Sequence, residues 1–471
     1  MSDLRSFLHS AADAVLRPAQ ALSVVREITA LQHALDTVGR YPVICVERPL
    51  LADGRQCSIP VVCNLTASRE LTARALGFPG HREAARSFAQ RVGRPVAPLV
   101  VERGEAPVQA VVLQGEACDL GQLPVLTQHT LDPGPYLTAA HATTFDPETG
   151  IDNTAIQRCW VKGPRRTSYF PYPRTHNEQN LRKFWARGEP CPIAFWIGHH
   201  PAVSIAAQAR LDYPQSHWGA VGGMTGEPLR LVPSITHGAK LMVPADAEIV
   251  IEGFVPAALY EPDGPFGEYT GYMGPQILAP VCEITAITRR ADAYYHDYAS
   301  GLRDMLVPDN MAMEGLLYEL TRAVAPALVN VHVPVSGRRF HAYLQFRDPA
   351  PGEAREAIAA ALGYRRLKAA FAVDSDVDIF SDSQMLWAVA TRVQWDRDTL
   401  VMDAMSGSTL DPSWPAGADS ISKMGIDATL PRAQAGETTR PFAPRIAVPQ
   451  AALENALRLL GGLSPESWPR I

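Results

Sequence analysis

The sequence lacks three things, and each absence narrows what the chain can do. It has no CxxC pair: Cys45, Cys57, Cys63, Cys118, Cys159, Cys191 and Cys282 form an odd, scattered set. Such spacing builds neither a disulfide framework nor a zinc knuckle. It has no apolar run near the roughly 20 residues that span a bilayer. It has no basic surplus, since 43 Lys and Arg face 49 Asp and Glu for a net charge of -6. Non-specific nucleic-acid binding needs a basic face, so that class is excluded. The start, MSDLRSFLHSAADAVLRPAQ, carries Asp3 and no small-residue cleavage site, unlike a signal peptide. A cytoplasmic protein that engages neither membrane nor nucleic acid is expected.

What is present is an ordinary globular composition: 471 residues, 46% hydrophobic and 20% charged. A chain of this size can bury several cores without staples, at about 150 residues per domain. Leu4, Phe7, Leu8, Ala11, Ala12, Val15 and Leu16 recur at helical spacing and predict a first helix ended by Pro18. Further helices are expected near 81–93, 177–187, 312–325, 352–362 and 448–461. Strands are expected at 108–113, 247–255, 282–288, 328–334 and 342–346. The stretch from about 115 to 300 is richest in strands and turns, and the flanking segments alternate helix and strand. This predicts an α/β N-terminal part, a β-rich centre and an α/β C-terminal part. Residues 403–448, rich in Ser, Gly and Pro, read as a long irregular connection.

Three polar clusters carry chemical content: GIDNTAIQRCWVKGPRR at 150–166 followed by FPYPRTH, DYPQSHWGAVGG at 212–223, and EPDGPFGEYTGYMGP at 261–275. In the third, Asp263 and Glu268 flank Gly264, Pro265 and Gly267, a turn able to aim two carboxylates into one pocket. With an arginine between them, one acid can stay ionised while the other holds a proton. Taken alone, an exposed acidic loop explains the pair as well. In the first, Arg158 follows Asn153 by five residues, and a partly buried guanidinium is the natural two-donor clamp for a carboxylate. A structural ion pair is the competing reading. Asn153, His176 and His217 supply oxygen and nitrogen donors suited to a borderline divalent ion, although their spacing matches no local metal motif. His199 and His200 read as a turn at a strand start, and Lys423 as a surface lysine or one able to reach a phosphate. Trp395, Met402, Met405 and Met424 are candidates for an apolar wall.

These clusters, in this order, resemble the UbiD family of prenylated-flavin-dependent (de)carboxylases. The resemblance begins with SDLRSFL and continues through GEACDLGQLPVLTQHTLDPGPYLTAA, TFDPETGIDNTAIQR, VPADAEIVIEGFV, PDGPFGEYTGYM, VDSDVDIFSDSQMLWAVATR and SKMGIDAT, seven collinear blocks. It implies an α+β fold: an N-terminal α/β domain (1–114), a central split β-barrel related to flavin reductases that binds prenylated FMN (115–305), and a C-terminal α/β domain with oligomer contacts (306–471). It implies a homodimer or homohexamer and a separate flavin prenyltransferase that supplies the cofactor. Arg158 matches the arginine that contacts the substrate carboxylate and the flavin, and Glu268 matches the proton donor. The segment Asn153, Thr154, Ala155, Ile156, Gln157 and Arg158, with His176, matches the cofactor-binding positions. Asn153 and His176 match two protein ligands of a divalent ion, usually Mn2+, with K+ as a further ion.

Two departures from the family pattern stand out. Asp263 replaces the usual glutamate and is shorter by about 1.5 Å, one carbon–carbon bond. His217 stands where an acid is the third metal ligand. Imidazole can ligate the ion without neutralising it, or can meet the phosphate as a cation. The resemblance implies a non-oxidative, reversible decarboxylase of an aromatic, heteroaromatic or α,β-unsaturated carboxylic acid. The alternative is a cofactor-binding but non-catalytic subunit of a larger decarboxylase.

Overall fold

The computed structural model describes residues 3–415, 417–431 and 442–461. The chain divides into two units, Met1–Thr429 and Leu430–Ile471. The second contains the helix Gln450–Gly461, close to its expected span.

The first unit is mixed α+β and is organised around a curled, ten-stranded antiparallel sheet. Its longest strand, Ile277–Arg289, pairs with Arg166–Ser168 on one side and Ile249–Val255 on the other. Cys191–Ile197, His141–Phe145 and Asp152–Ile156 continue the order on that second side. Alternation along these strands sends Ile193, Phe195, Ile197, Ile249 and Ile251 into one core and Ala194, Trp196 and Val250 into another, the period-two outcome for a sheet covered on both faces. A four-stranded sheet near the N-terminus is completed from far along the chain, because Tyr295–His296 pairs with Val61–Val62.

The C-terminal sheet runs in the order Leu328–His332, His341–Phe346, Ala369–Asp374, Ile421–Ala428 and Thr399–Met405. Ile358 and Ala361 of the helix Glu353–Leu362 pack on one face. Met385 and Ala388 of Asp382–Arg392 pack on the other.

Local expectations mostly hold, and the departures have physical causes. The first helix is only Leu4–Ser10, and Val15–Leu16 is instead a strand pairing with Val43–Ile44. The helical period therefore ends where a β-branched residue finds a parallel partner. The helix expected near 312 starts at Arg303 and runs to Arg322 through Pro308. Pro308 has no N–H for the Asp304 carbonyl, and the Thr66 hydroxyl takes that carbonyl at 2.7 Å. Part of the segment read as irregular, Ile421–Ala428, is an inner strand. Its Lys423 is buried, against the surface reading, and its ammonium donates to the carbonyls of Leu362 and Tyr364 at 2.8 and 2.9 Å. A lysine at an inward position hid the alternation. Residues 432–441 of that segment lie outside the described residues. His199 and His200 follow a strand instead of opening one, and the His200 ring caps the helix Pro201–Ala206. Trp395 and Met424, candidates for an apolar wall, are exposed, whereas Met402 packs against the C-terminal core.

Candidate active site

Arg158 sits at the joint between strands Asp152–Ile156 and Cys159–Gly163. Asp263 ends the strand Tyr260–Asp263, and Glu268 follows the short strand Phe266–Gly267. The turn between them needs Gly264 in a left-handed conformation (φ +86°), which an L side chain adopts only with strain. The outcome is an acid–arginine–acid chain. Arg158 Nη1 donates to Asp263 Oδ2 at 3.0 Å, and Arg158 Nε lies 3.3 Å from Glu268 Oε1. The guanidinium also lies 5.3 Å from the centre of the Phe266 ring. The shorter Asp263 thus still reaches its arginine.

Two residues that sequence reasoning did not select hold Asp263 in place. Ser168 donates to Oδ1 at 2.7 Å, and the Tyr136 hydroxyl donates to the same oxygen at 3.3 Å while accepting from Gly264 N–H at 2.9 Å. Tyr136 lay inside a quoted block but carried no signal of its role, and Ser168 carried none. Glu268 is pressed against Gly274, where a Cβ would come within 3.0 Å of its carboxylate. Burial raises the Glu268 pKa, and Asp263 adds to the rise, while Arg158, Arg339 and Arg366 oppose it. The carboxyl therefore keeps its proton to a higher pH than an exposed glutamate does.

A second constellation surrounds a small cavity of about 70 Å³. Asn153 and His176 both line it, with Asp146, Asp152, Lys183 and Tyr213. The Asn153 amide donates to Asn177 Oδ1 at 2.7 Å. Lys183 is engaged by Asp146 and Glu148, each at 2.7 Å. His217 opens the helix His217–Thr225, where Asp152 accepts from the N–H groups of His217 and Trp218 at 2.9 and 3.3 Å. The His217 ring is buried and bonded to the Ala209 carbonyl, and its Nδ1 has no partner. Burial, with His176 nearby, pulls its pKa down to about 4, so the imidazole is neutral at pH 7 and offers a lone pair. The cavity brings Asn153 and His176 together while His217 does not line it; by donor chemistry alone, an amide oxygen and two imidazoles suit a borderline divalent ion. Among the described residues, no group of three or more His, Cys, Asp and Glu side chains could hold a metal, so any such site depends on the amide.

The other expected cofactor-binding positions lie along the same strand. Thr154 is buried with its hydroxyl 2.9 Å from that of Thr143, Ala155 and Ile156 are half-buried, and Gln157 N–H donates to the Ala140 carbonyl. One strand thus carries Asn153 toward the cavity at one end and delivers Arg158 to the two acids beyond the other.

The chain matches known proteins over most of its length. Residues 99–302 match the 3-octaprenyl-4-hydroxybenzoate carboxy-lyase Rift-related domain, and 310–428 match the C-terminal domain of the same family. The chain is 29% identical over 430 residues to anhydromevalonate phosphate decarboxylase of Methanothermobacter thermautotrophicus, covering 89% of this chain and 96% of that one. The UbiD-class enzyme HmfF of Pelotomaculum thermopropionicum, solved in complex with FMN, superposes with a TM-score of 0.88 at 34% identity over 98% of this chain and 100% of that one. An evolved dimeric form of HmfF was solved with prFMN (TM-score 0.85, 33% identity, 96% of this chain and 98% of that one). Apo 3,4-dihydroxybenzoic acid decarboxylase of Klebsiella pneumoniae gives a TM-score of 0.84 at 25% identity over 97% of this chain and 99% of that one. With the fold and the acid–arginine–acid chain already in place, these matches make the protein a member of the UbiD family of (de)carboxylases.

Proposed function

We propose that this chain is a non-oxidative, reversible decarboxylase of an aromatic, heteroaromatic or α,β-unsaturated carboxylic acid, with prenylated FMN as its cofactor. One observation carries the reading: Arg158 lies between two carboxyl groups, Asp263 at 3.0 Å and the half-buried Glu268 at 3.3 Å, and desolvation raises the Glu268 pKa. Removal of CO2 from an sp2 carbon leaves an electron pair that no side chain stabilises well, and the prenylated flavin, when bound, supplies that electron sink.

The residues of the chain perform the remaining tasks. Asp263, fixed by Ser168 and Tyr136, orients the Arg158 guanidinium. A protonated Glu268 competes weakly for Arg158 Nε, which frees that donor for the substrate carboxylate. Arg158 then holds the acid group at reacting distance, a positioning effect worth several kcal/mol or more. The rings of Tyr136 and Phe266 beside it limit water, so loss of a charged group as neutral CO2 is not opposed by solvation. Glu268 finally delivers its proton to the carbon that CO2 has left. In the carboxylation direction the same groups act in reverse.

Asn153 and His176, with the unpaired Nδ1 of His217, would hold a divalent ion such as Mn2+ near the flavin phosphate. The backbone from Thr154 to Gln157 would line the flavin. The cofactor implies supply by a flavin prenyltransferase. Co-expression with that prenyltransferase, followed by absorbance and CO2 release over a panel of aryl and acrylic acids, tests the reading. Flavin absorbance with turnover is expected. A loaded protein inert toward the whole panel overturns it.

A further inference from the structure

A second charged cluster adjoins Glu268 and has no task in the chemistry above. Asp309, buried on the helix Arg303–Arg322, is shared by three guanidiniums: Arg339 and Arg366 at 2.9 Å on Oδ2, and Arg210 at 3.1 Å on Oδ1. One carboxylate against three cations leaves a surplus of two positive charges. Arg339 is only 6% exposed, and its buried Nε has no hydrogen-bond partner. Arg366 is half-buried and Arg210 exposed, so the cost falls on Arg339, whose buried and unpaired donor is unfavourable unless an acceptor completes it.

The backbone adds to the cost, because Arg338 and Arg339 both adopt left-handed conformations (φ +48° and +65°) that non-glycine residues avoid. The cluster borders the catalytic acid. Tyr269, directly after Glu268, lies with its ring centre 5.0 Å from the Arg339 guanidinium and 5.9 Å from that of Arg366. Gly301, whose carbonyl accepts from Arg338, is packed against the Glu268 carbonyl. Both Arg339 and Arg366 also act electrostatically on the Glu268 carboxyl.

We infer that the Arg339–Arg366 cluster binds a second anionic group of the substrate, a carboxylate or a phosphate, on the far side of Glu268 from the acid group held by Arg158. The inference rests on the decarboxylase reading and deepens it, because it names the substrate as at least a dianion. Arg339 supplies the unpaired Nε, Arg366 a neighbouring cation, and Asp309 keeps the guanidiniums from splaying apart.

Binding to the FMN-loaded protein tests this without turnover, through flavin fluorescence. Benzoate is compared with its 3- and 4-carboxylate derivatives and with 4-phosphonobenzoate. Crotonate is compared with its 4-carboxylate and 4-phosphate derivatives. A preference of about tenfold or more for a dianion in either series is expected. Preference for the dicarboxylate or for the phosphorus acid identifies which anion the cluster takes. Arg366→Met should collapse that ratio toward one, and Arg366→Lys should restore part of it. Dianions and monoanions binding within twofold of each other in both series would overturn the inference, as would an unchanged ratio in Arg366→Met protein that still binds FMN. The CO2 assay reads the decarboxylase assignment separately: turnover of a monoacid with no dianion preference sinks this inference alone.

Discussion

The molecule contains two neighbouring ion clusters of inverted composition, one that includes Glu268 and one that meets the adjoining Tyr269 ring. At one, a single guanidinium lies between two carboxylates, Asp263 and Glu268. At the other, a single carboxylate, Asp309, lies among three guanidiniums. Burial acts on both and gives opposite results. In the first, desolvation raises the Glu268 pKa, because Arg158 cannot fully compensate two acids. In the second, desolvation also opposes charge, but three cations hold Asp309 well below the usual carboxylate range. Arg339, drawn down to about 10 by burial, remains charged at neutral pH. The difference teaches that desolvation acts alike on both clusters and the local charge balance decides the outcome: two acids on one arginine leave the Glu268 pKa raised, and three arginines on one acid leave that of Asp309 lowered.

Experiments can break or sharpen this contrast, and the acid-rich side should respond most. Glu268→Gln keeps the shape and removes the proton. Turnover should fall about 10²–10⁴-fold with flavin absorbance unchanged, and full decarboxylation by that variant would remove Glu268 from the mechanism. Asp309→Ala strips the arginine-rich side of its shared partner. Urea unfolding should show a loss of about 3–5 kcal/mol, as when one member of a buried ion pair is deleted.

Arg158→Lys replaces a planar fork by a point charge that cannot serve both acids and a substrate. We expect turnover to drop about 10²-fold, and wild-type rates would refute the clamp. Ser168→Ala removes a hydrogen bond to a charged group, worth about 1.5–3 kcal/mol. The expected readout is a decrease in kcat/KM of about tenfold with the FMN content intact.

The smallest effect concerns pH. Glu268 must be protonated to act, and its pKa is raised, so kcat should be full below that raised value and decline as pH climbs through it. Asp263→Asn removes a like charge that contributes to the rise. The limb of the residual activity should therefore move to lower pH, and a shift the other way would contradict the assignment.

Much of the site was legible because its key residues lie in short motifs. Asp263 and Glu268 are five positions apart on one turn, and Asn153 through Arg158 occupy one strand and its exit. Strands are present at the expected positions 247–255, 282–288 and 342–346 because period-two burial is a local property. Ser168 and Tyr136 were not legible, since they meet Asp263 across 95 and 127 residues of chain. The strand Ile421–Ala428 is hidden in the sequence because Lys423 occupies an inward position, tolerable only where the carbonyls of Leu362, Tyr364 and Arg365, in one stretch at the end of a helix, accept from its ammonium.

The sequence by itself carried most local elements through periodicity and turn chemistry, which act over a few residues, and its seven collinear blocks carried the family resemblance that singled out Asp263, Arg158 and Glu268. Only the tertiary structure decided in which direction burial moves the Glu268, Asp309 and His217 pKa values, that His217 presents an unpaired nitrogen, and that Arg210, Arg339 and Arg366 converge on Asp309 from three separate stretches. Protonation and ion clustering depend on desolvation and on contacts between distant segments, and both exist only once the chain has closed around them.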